Sequence, residues 1–145
     1  MDNRQLLKLI QSKGYGYDFY YTVLRITSGD RNGDVSLEEL TSLPIKILIT
    51  ENIRNVTLSR LTILTSDLLL LNQGDINLPS LSKICSSLTI TNGINVNLCN
   101  LQHINRQDNE LRICVRGNVD VSRLPIKYQS SVYITTTGKT KLKRI

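Results

Sequence analysis

The sequence predicts a mainly all-β fold: a parallel β-solenoid of about six coils of 20–23 residues, closed at its N-terminal end by a capping helix. Three observations predict it. An aliphatic motif returns at nearly constant spacing, the segments between turns alternate apolar and polar residues, and the composition disfavours helix. The chain of 145 residues holds 23 Leu, 16 Ile and 13 Thr but no Ala or Trp. Ala is the best helix former, whereas Ile and Thr favour strands, so the balance leans to β-structure.

The motif is Val-x-Leu-x-x-Leu. It occurs as Val35, Leu37, Leu40; Val56, Leu58, Leu61; Ile76, Leu78, Leu81; Val96, Leu98, Leu101; Val119, Val121, Leu124; and, in worn form, Thr140, Leu142, Ile145. Upstream of these runs a second series of apolar pairs: Leu24 and Ile26, Ile47 and Ile49, Leu68 and Leu70, Leu88 and Ile90, Leu111 and Ile113, Val132 and Ile134. Between the two series lies a turn signal, Gly33, Asn52, Gly74, Gly93, Gly117 or Gly138. Each unit therefore reads as strand, tight turn, strand and a connection that often begins Leu-Pro, as at Leu43-Pro44, Leu78-Pro79 and Leu124-Pro125.

Alternation within Ser87-Leu-Thr-Ile-Thr, Asn95-Val-Asn-Leu-Cys and Ser131-Val-Tyr-Ile-Thr buries one face and leaves Thr, Ser, Asn or charge on the other. A unit this short cannot bury such pairs alone. Stacking like units makes one continuous core, with coils about 4.8 Å apart.

The run Leu78-Pro-Ser-Leu-Ser-Lys-Ile-Cys-Ser-Ser-Leu-Thr-Ile-Thr-Asn-Gly, and Ile47-Leu-Ile-Thr-Glu-Asn52, resemble short bacterial-type leucine-rich repeats. The resemblance spans residues 43 to 138 and implies either a parallel β-solenoid or a leucine-rich-repeat-like stack. The second segment of each coil is then a true strand or a convex segment. That family pattern closes each repeat with Asn, where this chain has Gln73, Gly93, Arg116 and Thr137. The resemblance also implies protein binding on the concave sheet.

The N-terminal segment, 1–21, differs from the repeat region, 22–145, though the two are expected to form one cooperative domain. Asp2 or Asn3 can cap a helix over Arg4 to Lys13, with Leu6, Leu7, Leu9 and Ile10 on one face and Gly14 as a stop. Such a helix covers the core exposed by the first coil. Tyr15, Tyr17, Phe19, Tyr20 and Tyr21 follow, five of the seven aromatic residues. Packed beneath the cap they are core; exposed, they are a hot spot for a protein partner.

The net charge of +6 arises wholly after Asp120, from Arg123, Lys127, Lys139, Lys141, Lys143 and Arg144, because the preceding cations and acids cancel. Lysines on terminal strands guard against edge-to-edge aggregation. They also offer a docking patch for an anionic partner, nucleic acid included, with Tyr128 and Tyr133 able to stack on bases.

Catalytic chemistry finds little footing. His103 is the only histidine and stands apart from any carboxylate or Cys at triad or metal spacing. Cys85, Cys99 and Cys114 lack Cys-x-x-Cys spacing, and their odd number points to reduced thiols. Asp30, Asn32 and Asp34 imitate the first ligands of a calcium loop, but two residues, including the Gly of the sharp bend, are missing before Glu38 and Glu39. A polar turn explains the segment better. No cofactor is expected, and no membrane span, since the longest apolar run is Leu68 to Leu71.

The sequence thus points to a non-enzymatic protein-protein interaction or structural scaffold module. Polyanion binding through the C-terminal strands is an alternative, and end-to-end self-association in a particle such as a virion is another. With no signal peptide, the expected location is cytoplasmic. Surplus Ile, Asn and Lys without Ala suggests an AT-rich coding sequence, as in many phages, large viruses and low-GC bacteria.

Overall fold

The computed structural model describes residues 1–27, 33–50, 52–105 and 109–142. It is a parallel β-solenoid of about five turns with a short N-terminal helix. Helix α1 (Asn3–Ser12) starts at Asp2, whose carboxylate accepts the Gln5 N–H while the Gln5 side chain accepts the Asp2 N–H, a complete capping box. It ends in a Schellman turn: Gly14, at φ 81°, donates to the Gln11 carbonyl and Tyr15 donates to that of Ile10. Leu6 and Ile10, on one helical face, are fully buried.

Sheet A opens with a hairpin, β1 (Gly16–Tyr20) antiparallel to β2 (Val23–Thr27). The division expected between residues 21 and 22 therefore lies at the tip of this hairpin, whose two strands share one sheet. From β2 the sheet continues in parallel, one rung per coil. Its rungs are β4 (Ile47–Ile49), β7 (Leu68–Leu70), β10 (Leu88–Thr91), β13 (Leu111–Val115) and β15 (Val132–Thr136). Sheet B holds the other strand of each coil: β3 (Gly33–Ser36), β5 (Ile53–Thr57), β8 (Ile76–Asn77), β11 (Val96–Asn97), β14 (Val119–Val121) and β16 (Thr140–Leu142). This segment is thus a true strand paired with its copies, which settles the choice left open by the sequence.

The register matches the repeat residue for residue. Leu24, Ile47, Leu68, Leu88, Leu111 and Val132 form one column, and Ile26, Ile49, Leu70, Ile90, Ile113 and Ile134 the next. Val35, Val56, Ile76, Val96, Val119 and Thr140 form the first column of sheet B. Like residues stack on like, and one hydrophobic cluster runs from Leu6 to Tyr128.

The structure adds a third sheet to the two that the sequence predicts. The connections after Leu61, Leu81 and Leu101 read as loops, yet they carry β6 (Ile63–Leu64), β9 (Lys83–Ile84) and β12 (His103–Ile104), paired in parallel. Leu64, Ile84 and Ile104 point inward and are buried. The turn from sheet A to sheet B leaves no room for a side chain at Gly74, where a Cβ would sit 2.6 Å from the Arg54 carbonyl oxygen. Buried Asn72 closes that turn by donating to the Arg54 and Asp75 carbonyls, one position before the expected Gln73.

Candidate functional site

The solenoid offers three surfaces with distinct chemistry. The outer face of sheet B carries two columns of polar side chains. In the first, Asp34, Asn55, Asp75, Asn95 and Asn118 each turn a side-chain oxygen onto the backbone N–H of the matching residue in the next coil. The distances run from 2.8 to 3.3 Å, and the last acceptance is from the N–H of Lys139. Lysine has no side-chain acceptor, so the ladder stops there. This column was missed although its signal is plain: Asp or Asn immediately precedes the Val or Ile of the first five motifs. The second column, Ser36, Thr57, Asn77, Asn97, Asp120 and Lys141, lies two residues on, with the Asn97 amide bonded to Asn77 Oδ1 at 2.8 Å. Of the imitated calcium loop, Asp30 and Asn32 lie outside the described residues, and an Asp34 oxygen is engaged by Asn55. Among the described residues no group of three or more His, Cys, Asp or Glu side chains could hold a metal ion.

The second surface is the hairpin. Its aromatic run divides between the two roles the sequence allowed. Tyr15 is buried, and its hydroxyl accepts the Ser36 N–H at 3.0 Å, tying the helix end to sheet B. Tyr15 is therefore withdrawn from the candidate partner-binding residues, because it serves the core. Tyr17 is half-buried and packs edge-on against Phe19, with centroids 6.2 Å apart. Phe19, Tyr20 and Tyr21 are 51%, 64% and 86% exposed, and the last two rings meet edge to face at 4.7 Å. Tyr21 holds φ 56°, in the left-handed region that favours glycine. Behind the tip, Arg25 binds the Asp18 carboxylate from β2, with Nε to Oδ1 at 2.7 Å, and holds its pKa below the usual 3.8.

The third surface is the C-terminal end. A hollow of about 340 Å³ opens there, lined by Val121, Leu124, Ile126, Val132, Ile134 and Leu142 among others. Of the cations expected to gather at this end, Lys143 and Arg144 lie outside the described residues. Lys139 and Lys141 both border the polar face of sheet B. Lys127 instead joins Lys83 and His103 at a shallow cleft on the third sheet, with its ammonium 5.2 Å from the Tyr128 ring centre. Arg123 is exposed in the turn after β14. The basic set is thus spread over two faces. Tyr128 is buried beside His103, whose Nδ1 is 3.3 Å from its hydroxyl, and Tyr133 lies under the Arg112 guanidinium at 4.5 Å. Among the described residues no helix is long and apolar enough to cross a membrane.

No protein-family model, curated protein or solved structure matches this chain, so the likeness to leucine-rich repeats has no support from relatives.

Proposed function

We propose that the protein is a non-catalytic interaction module, in which a rigid solenoid presents the aromatic hairpin tip to a protein partner. One observation carries this reading: Phe19, Tyr20 and Tyr21 stand exposed on a hairpin whose backbone is fixed by pairing with β2 and by the Asp18–Arg25 ion pair. Tyr and other large aromatics dominate interface energetics because they bury much area at little cost in side-chain entropy. A left-handed backbone at a non-glycine residue costs roughly 1 kcal/mol, and such strain collects at functional sites. At Tyr21 the fold accepts that cost at the most exposed of its large apolar side chains.

The variant Tyr21→Gly separates the two roles of the residue. Glycine fits φ 56° without strain, so the melting temperature should hold or rise, while retention of a specific protein from the native source should fall. Tyr20→Ser should weaken retention in the same way. Full retention by both variants, or cooperative unfolding caused by either, defeats the reading.

A further inference from the structure

We propose that the open C-terminal end of the solenoid docks an acidic, strand-forming segment of another protein, one that alternates carboxylates with apolar side chains and adds a rung beside β16. This surface lies at the opposite end of sheet A from the hairpin and does not depend on it.

The floor is a core layer that no further coil covers among the described residues. Val132 and Ile134 stand in register beneath Leu111 and Ile113, and Leu142 beneath Val121. The upper three are buried, whereas Val132 and Ile134 are half-buried and Leu142 is 61% exposed. Ile126, at 59%, flanks the same hollow. The rim supplies hydrogen bonds, because β15 and β16 are the terminal strands of their sheets and one backbone edge of each faces no further strand among the described residues.

Charge selects the occupant. The two outward columns of sheet B end in Lys139 and Lys141, and side chains of an added strand would stack about 4.8 Å beyond them. The sheet already uses this arrangement once, with Asp120 in register beside Lys141. No acid follows Asp120 in the chain. Two copies meeting tail to tail would set these lysines against each other. A head-to-tail stack would meet the end sealed by α1, where Leu6 and Ile10 already fill the core. Nucleic acid satisfies the cations but leaves Val132, Ile134 and Leu142 wet. An acidic strand satisfies cations, backbone and floor together. The lysines then act as a filter, because they repel basic strands and would lose hydration without a counter-charge against uncharged ones.

The test uses the full chain and a labelled heptapeptide, Glu-Val-Glu-Val-Glu-Val-Glu, beside an isomer with its glutamates in one block. Fluorescence anisotropy should show the alternating peptide binding about tenfold tighter than the block isomer, with slowed amide exchange at residues 140–142. Leu142→Ser and the pair Lys139→Gln with Lys141→Gln should each remove that preference while leaving the melting temperature unchanged. Equal binding of the two peptides overturns the proposal. So does displacement by a DNA duplex with indifference to Leu142→Ser, which assigns the end to polyanions. A dimer in sedimentation that the peptide fails to dissociate overturns it as well, because the end is then covered by a second copy.

Discussion

The two ends of this solenoid meet the same physical problem and answer it differently. At the N-terminal end, Leu24 and Val35 belong to the first parallel rung, yet they are 1% and 0% exposed, because β1 pairs alongside β2 and Leu6, Ile10 and Tyr15 join the same core. At the C-terminal end, Val132 and Ile134 occupy the same two sheet A columns as Leu24 and Ile26 and remain half-buried. Column and residue type do not decide burial here; the neighbour above or below does. An end rung keeps half its contacts unless something other than a coil supplies the rest.

The largest expected effect tests that difference directly. Leu6→Ala removes a fully buried side chain from the sealed end and should cost about 3 kcal/mol, from lost transfer energy and the cavity left behind. Leu142→Ala, the same deletion at the open end, should stay within about 0.5 kcal/mol. Denaturant midpoints of the two variants measure the contrast. Equal losses would mean that the C-terminal hollow is covered in solution.

The contrast also explains how much the sequence could reveal. The aliphatic columns of sheets A and B, from Leu24 to Leu142, are legible, because a column of like aliphatic residues leaves the same spacing in the chain that it leaves in space. Leu64, Ile84 and Ile104 keep that spacing too, but each strand of this sheet has a single inward residue, next to Ile63, Lys83 or His103, and no apolar-x-apolar pair marks it, so the third sheet reads as loop. The Asx ladder escaped because each Asp or Asn looks locally like a turn residue. Its function appears only when Asn55 is set against Asp75 one coil on. Of the candidate surfaces, the aromatic segment and the basic terminus could be named from sequence. Their exposure could not, since Tyr15 and Tyr21 differ in burial but not in kind.

A smaller effect falls on the cap alone. Asp2→Ala removes the carboxylate that accepts the Gln5 N–H and should cost about 1 kcal/mol. The loss should be local: amide exchange should quicken through α1 and β1 before it changes in β13 or β15. Uniform quickening along the stack would show that the sealed end has no independent opening. Next in size is Asn95→Ala, which strips one rung of the polar ladder of its oxygen for the Asn118 N–H. It should cost about 1 kcal/mol or less, because the position is exposed and water can replace the bond. Lys139→Ala, at the end of the same ladder, removes no side-chain acceptor and should be close to neutral by thermal unfolding.

The smallest effect is one of pH, and it separates the ends by chemistry. The Arg25 guanidinium, hydrogen-bonded to Asp18, lowers the folded-state pKa of that carboxyl below its ordinary 3.8. A lowered folded pKa contributes stability above the ordinary value, and that stability is lost as pH falls through the lowered one. The pair is exposed, so the effect on global unfolding is slight, and the hairpin is where it should be read. Amide exchange in β1 should quicken, beyond its intrinsic pH dependence, as the solution is acidified below the ordinary carboxylate range. Asp18→Asn should abolish the transition. β15 and its partner strand β13 carry no carboxyl side chain, so the amides of β15 should pass through the same window without a step. A step of equal size at both ends would mean that acid loosens the whole stack, and that the ion pair behind the aromatic tip does not hold the hairpin in place.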